Sequence, residues 1–202
     1  TVIIKTIGRK TLKNAIRSSK REGFKTFVIS DGKSIDAEGA DHVIKLGRQW
    51  GFYGGMAANV GAAVAPTEFI TFLDDDDEFV VGAGDIIRKN LNLKKEVDIW
   101  AAGIRFKKLI QVNLPSGAIT THDLSVDANH GVVPGNVAMP TYRTSIFSKI
   151  PFTDSIPLKH QSLTDFIHVD TCVKKGYKIN WFGEVIYLVR PFLSESNGKG
   201  IM

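Results

Sequence analysis

The first eighty residues alternate between two hydrophobic periods. Val2 to Lys5 is a short β-favouring run. Lys10 to Glu22 follows with Leu12, Ala15 and Ile16 spaced for one helical face, and Gly23 stops it. Phe24 to Ser30 is a second apolar run, broken by Asp31-Gly32, and His42 to Leu46 is a third. Met56 to Val64 reads as an alanine-rich helix that ends before Pro66. Glu68 to Leu73 is a strand, apolar almost throughout, that stops at Asp74-Asp75-Asp76-Asp77. Such strand–helix alternation predicts a parallel sheet with helices on both faces. Strands without polar alternation belong at its centre.

The second half is less regular. The pattern predicts a helix over Gly84 to Leu93, strands over Val97 to Phe106 and Leu109 to Leu114, and a hairpin turn at Pro115-Ser116-Gly117. A further helix, Thr164 to Lys175, stops at Gly176. Tyr177 to Phe182 and Val185 to Val189 read as short strands, and the Ser/Gly/Asn-rich segment Ser194 to Gly200 as a mobile tail. One domain is expected over residues 1–202, with a half of nucleotide-binding type over 1–80 and a mixed half over 81–202.

Composition narrows the partners. Of 202 residues, 43% are hydrophobic, enough for a buried core, and no apolar run approaches the roughly 20 residues of a membrane span. The net charge of +5 favours anionic ligands. The cations lie in separate groups, such as Lys94-Lys95 and Lys174-Lys175, rather than in a basic stripe with interleaved aromatics, so no nucleic-acid partner is expected. The single Cys172 excludes an internal disulfide and fits a cytoplasmic location. The chain opens without Met, as a piece of a longer multidomain protein would.

The acidic cluster carries the most chemistry. In open α/β sheets ligands collect at the carboxyl ends of the strands, where Asp74 to Asp77 fall. Four adjacent carboxylates repel one another, and a hard divalent cation offsets that repulsion through oxygen ligands. Alternate residues of an extended segment share a face, so Asp74 and Asp76 could act together; a solvated acidic turn is the plainer alternative. Thr6, Gly8 and Arg9 precede a helix, a place suited to phosphate, though an ordinary capped loop would look the same. Asp31 could hold a base or ribose, or simply serve its turn. In Gln49-Trp50-Gly51-Phe52-Tyr53-Gly54-Gly55 the glycines permit close backbone approach at a helix entrance. The histidines His122, His130, His160 and His168 are scattered; one of them could complete a metal shell. Cys172 is expected in the core, and Trp50, Trp100 and Trp181 are expected to pack there unless one stacks a sugar or base.

Together these segments resemble the GT-A glycosyltransferases, in particular the large inverting family that uses nucleotide-diphospho-sugars. That family's Asp-Gly-Ser is similar to Ser30-Asp31-Gly32-Lys33-Ser34 here. Its Asn-x-Gly-Phe-Gly-Gly and following Asn are similar to Gln49 to Gly55 and Asn59, and its Leu-Asp-x-Asp-Asp to Leu73-Asp74-Asp75-Asp76-Asp77. Order and spacing agree over about the first 80 residues, and a compact viral glycosyltransferase is the nearest fit. The resemblance implies a GT-A, Rossmann-like α/β fold with a mostly parallel central sheet flanked by helices and a small antiparallel addition. It implies a UDP-sugar donor held by Thr6, Gly8, Arg9, Asp31, Gly55, Asn59, Asp74 and Asp75, with Mn²⁺ or Mg²⁺ on Asp74 and Asp76. The acceptor is a glycan or other hydroxyl. The family's Glu-Asp before a helix ending in Gly-Tyr-x-Ile is matched by Thr164-Asp165 before Gly176-Tyr177-Lys178-Ile179, which implies Asp165 as catalytic base; Thr164 departs from the family's Glu. Inversion is favoured because it needs one base, and retention stays open. Two alternatives remain. A sugar-phosphate nucleotidyltransferase would carry a Gly-rich loop after the first strand, where Ile7-Gly8-Arg9-Lys10 has one glycine. The other is a non-catalytic nucleotide- or carbohydrate-binding domain.

Overall fold

The computed structural model describes residues 1–113, 119–128, 140–153 and 164–189. Four parallel strands, β1 (Val2–Thr6), β2 (Thr26–Ser30), β3 (His42–Lys45) and β4 (Phe69–Asp74), form one side of the sheet in the order β3-β2-β1-β4. Every residue of β1 and β2 is buried. Successive side chains on a strand point to opposite faces, so both faces of these strands are covered, as their continuous apolar runs predict. Helices α1 (Leu12–Arg21) and α2 (Gly55–Val64) pack on β1 and β2. Leu12, Ala15 and Ile16 form the buried face of α1, and Lys20 and Arg21 meet the negative end of its dipole.

Beyond β4 the sheet becomes mixed. After β5 (Glu78–Phe79) and α3 (Ala83–Leu93) come β6 (Ile99–Asn113), β7 (Ile119–Ala128), β8 (Thr141–Arg143), α4 (Thr164–Lys174) and β9 (Ile179–Val189). The order continues β4-β8-β6-β9-β5, with β7 paired to the far part of β6. β8, β7 and β5 supply the antiparallel addition, while β6 and β9 run parallel.

The two strands expected between Val97 and Leu114 are one. Lys107 and Lys108 do not interrupt β6, because both pair with β7, opposite Ser125 and Leu124. β9 likewise runs through Gly183-Glu184, and a register shift opposite Gly103 absorbs the irregularity. β5 and β8 are too short for a hydrophobic period to reveal, and β7 is mostly polar. The Pro115-Ser116-Gly117 turn, the Ser194 to Gly200 tail, His130 and His160 lie outside the described residues. Cys172 and Trp100 are core residues, as expected.

The small residues of α2 set its distance from the sheet. Ala57, Ala58, Gly61 and Ala62 face inward, and a Cβ on Gly61 would lie 2.4 Å from Ile3 Cγ2 and 3.2 Å from Ile29 Cγ1. The branched Ile3 side chain is fully buried, so any shift must be passed to its neighbours. Gly61→Ala should therefore destabilise the fold by about 1–3 kcal/mol through overpacking, although alanine favours helices. Urea denaturation checks this; an unchanged midpoint would show that α2 can retreat from β1.

Candidate active site

Apolar β4 ends at the sheet edge with an acidic turn, in which the Asp77 N–H donates to the Asp74 carbonyl at 3.1 Å. The turn sends its carboxylates in two directions. Asp75 points inward and has no exposure to solvent. One of its oxygens accepts from the Thr6 hydroxyl at 2.5 Å, from the Ile7 N–H at 3.2 Å and from the Arg9 N–H at 3.4 Å. The other pairs with the Arg9 guanidinium. The Thr6 hydroxyl in turn accepts from the Gly8 N–H at 2.8 Å. Asp75 thus organises the loop after β1, and its oxygens face that loop.

Asp74 and Asp76 line a cavity of about 320 Å³ with Lys5, Thr6, Ile7, Arg9, Asp31, Gly51, Tyr53, Gly54 and Ala57. A tight turn, rather than an extended segment, puts Asp74 and Asp76 on one wall. Arg9 Nε lies 3.8 Å from Asp76. Burial disfavours the Arg9 charge, but Asp75, Asp76 and Asp74 outweigh it and hold its pKa above the usual arginine value. At the other end Asp31, at the close of β2, accepts from the Trp50 and Gly51 N–H groups, each at 2.8 Å. It anchors the β3–α2 loop in the cavity wall.

Lys5 is the site residue that the sequence reading misses. It is the only charge within the buried β1, and its ammonium lies 2.9 Å from Asp74. The signal was present: a lysine inside a run otherwise fit for a sheet centre needs a partner. Burial works against this ammonium, yet Asp74, Asp165 and Asp77 together raise its pKa. Its stem runs beneath Gly54, where a Cβ would stand 3.1 Å from Lys5 Cδ. Gly54 adopts φ 79°, so glycine meets both requirements there.

Asp165 opens α4 and is partly buried, within electrostatic range of Lys5 and Asp74. Burial pushes its carboxyl from 3.8 up to about 6; Lys5 opposes the rise and Asp74 adds to it. The fold thus brings the start of α4 to the acidic turn. Thr164 beside it is buried.

Other predicted residues stand apart. Asn59 faces away from this cavity. Its amide N–H donates to the Phe152 carbonyl at 2.9 Å and its oxygen accepts from the Phe152 N–H at 2.8 Å. Gly55 is the buried first residue of α2, behind Gly54. His168 is packed among Tyr142, Phe147 and Phe152, with Nε2 2.8 Å from the Ile150 carbonyl, far from a ligand's role in an acidic turn. Burial lowers its pKa, and the Ile150 carbonyl partly offsets this. His122 pairs with Ile110 across the β6–β7 ribbon.

Among the described residues no group of three or more His, Cys, Asp or Glu stands ready to hold a metal. Asp74 and Asp76 on one wall fit a different arrangement, in which one or two carboxylates and the oxygens of a bound phosphate share the ion.

The parallel sheet, with the ends of β1, β2 and β4 around one cavity, is that of a GT-A glycosyltransferase-like fold. Among solved structures the chain is similar to S. aureus TarS 1–349, with TM-score 0.65 and 15% identity over 93% of this chain and 59% of that one. The complex of TarS 1–349 with UDP-GlcNAc superposes with TM-score 0.60 and 14% identity, over 93% and 57%. A Bacillus anthracis protein assigned as a glucose-1-phosphate thymidylyltransferase, crystallised with sucrose, gives TM-score 0.55 and 12% identity over 93% and 88%. Likeness at these identities is a likeness of fold, and the chain spans under two thirds of the TarS 1–349 structures. No family model and no curated protein matches its sequence. No helix among the described residues is long and apolar enough to cross a membrane.

The Asp75 network gives the first test of the site's construction. Asp75→Asn removes the charge opposite Arg9 and places an N–H₂ group against existing donors. It should cost about 2–3 kcal/mol, toward the low end for a broken buried pair because Arg9 is partly solvated. Equilibrium urea unfolding reads the loss; a variant as stable as the parent would mean that the β1–α1 loop holds itself.

Proposed function

We propose that this chain is a metal-dependent glycosyltransferase that moves a sugar from a nucleotide diphosphate, best read as a UDP-sugar, to an acceptor hydroxyl with inversion. The observation that carries this reading is a cavity lined by the paired Lys5 and Asp74, with Asp165 of a third element within electrostatic range of both. A carboxyl with a pKa near 6 is ionised at neutral pH and is still a stronger base than an ordinary aspartate, which suits a general base. Lys5 and Arg9 supply positive charge to a diphosphate. The backbone around Gly51 and Gly54 allows its close approach, and Asp31 shapes the nucleoside end by holding that loop.

In this mechanism Asp165 accepts the proton of the acceptor hydroxyl as its oxygen bonds to the anomeric carbon. The bond from that carbon to the diphosphate breaks, and its electron pair leaves with the nucleotide. Asp74 and Asp76 would hold Mn²⁺ or Mg²⁺, which when bound supplies charge neutralisation to the departing diphosphate. Lys5, already 2.9 Å from Asp74, keeps that carboxylate oriented.

The likeness to a thymidylyltransferase-type protein favours one second reading, nucleotidyl transfer to a sugar phosphate. In that chemistry the nucleophile is an anionic phosphate and needs no base, which leaves Asp165 without a task. The loop after β1 also has only one glycine. Pyrophosphate release from UTP or dTTP with a sugar 1-phosphate would identify this activity. UDP release on sugar transfer identifies the first, and neither activity would identify a binding domain.

Asp165→Asn should lower transfer by about 10²–10⁴-fold, the usual worth of a positioned proton acceptor, while UDP-sugar affinity holds. In the parent, kcat/KM should climb with pH through about 6 and level above it, because only the ionised carboxylate accepts a proton. That limb should vanish in the variant. Undiminished transfer would remove Asp165 as base; Asp170, paired with Lys174 at 2.7 Å, would then be the next carboxylate on α4 to test.

Asp76→Ala should abolish Mn²⁺-supported UDP binding without unfolding the protein, measured by calorimetry with and without EDTA. Binding insensitive to both EDTA and the substitution would assign the diphosphate to Lys5 and Arg9 alone.

A further inference from the structure

Tyr53 is the only non-glycine residue with positive φ among the described residues, at φ 45° and ψ 30°. Left-handed backbone is costly for a bulky side chain, and such strain persists only where surrounding contacts impose it. Here they do. Asp31 fixes the two N–H groups just before it in the loop, and Gly51 and Gly54, at φ 69° and 79°, bend the chain on either side. A glycine at position 53 would adopt this conformation freely. The strained residue is instead a tyrosine, 64% exposed, that lines the cavity. Nearby Trp50 is covered by the Arg48 guanidinium, 3.9 Å above its ring, whereas Tyr53 has no aromatic or cationic partner among the described residues. Tyr53 thus combines high exposure with a place in the cavity lining.

The cavity's charge is unevenly distributed. Lys5, Arg9, Asp74 and Asp76 gather at the ends of β1 and β4, where a diphosphate and its cation belong. The β2 side is bounded by Asp31, whose two oxygens are both engaged by backbone, and by the loop that carries Tyr53. We propose that Tyr53 is the stacking platform for the donor's nucleobase, held in a left-handed conformation on the β2 side of the cavity, across from the charges at the ends of β1 and β4. This rests on the nucleotide-sugar reading above and deepens it. Stacking engages a π-face that every base has, so Tyr53 would supply affinity and placement for the base rather than choice among bases.

The test is calorimetric binding of UDP with Mn²⁺, beside binding of inorganic pyrophosphate, which has the charge but no base. Tyr53→Gly should weaken UDP roughly 5- to 150-fold, the range for loss of one aromatic–base stack. It should leave pyrophosphate affinity unchanged and hold or raise the melting temperature, since glycine relieves the backbone. Tyr53→Phe should bind UDP as the parent does. Tyr53→Asn, which tolerates left-handed backbone but lacks the ring, should behave as Tyr53→Gly. Unchanged UDP affinity in the glycine and asparagine variants overturns the proposal. So does an equal loss for UDP and pyrophosphate, or a marked fall in melting temperature, because either would make Tyr53 a structural part of the loop. A parent protein that binds pyrophosphate but no uridine nucleotide overturns this proposal and the donor assignment together.

Discussion

Asp75 has no contact with water, and the geometry of the site depends on it. Placing a charge there would cost several kcal/mol if it were unpaired. The cost is offset by the Thr6 hydroxyl, two backbone N–H groups and the Arg9 guanidinium, all within four residues of the loop after β1. The same contact ties the β4 turn to the β1–α1 loop, so neither can be described without the other. It also decides where the remaining carboxylates go. With Asp75 turned inward, Asp74 and Asp76 line the cavity, and the repulsion between them is relieved by Lys5 and Arg9 from the adjoining strand and loop.

This arrangement gives the cavity fixed charge before any ligand enters. Each cation on its wall already faces a carboxylate. Groups so paired in a low-dielectric pocket reorganise little when an anion arrives. The raised pKa of Asp165 has the same origin: it is desolvated beside Asp74, while Lys5 limits the rise.

Much of this was legible in the chain. The parallel half of the fold follows from apolar runs that end at Gly, Asp or Ser, and its helices from three- and four-residue spacing, because burial on both faces leaves a strong pattern. The mixed half was harder. β7 is polar, β5 and β8 are shorter than any period, and Lys107-Lys108 looks like a break until its partner strand is known. At the site, the residue types were readable but their directions were not. Four consecutive aspartates do not reveal which one turns inward, and Asn59 looks like a ligand until its amide is found on Phe152. Lys5 and Tyr53 were visible as anomalies, a charge within an apolar strand and a bulky residue among glycines, but their significance depends on tertiary partners.

The reciprocal bond between Asn59 and Phe152 links segments 93 residues apart in sequence. Phe152 packs on His168, and His168 lies one helical turn along α4 from Asp165. α2 begins at Gly55, one helical turn before Asn59 and directly after the loop that borders the cavity. A helix is stiff along its axis, so α2 acts as a strut between the loop at one side of the cavity and the aromatic cluster beneath α4. Any shift of that loop is then shared with the element that carries Asp165.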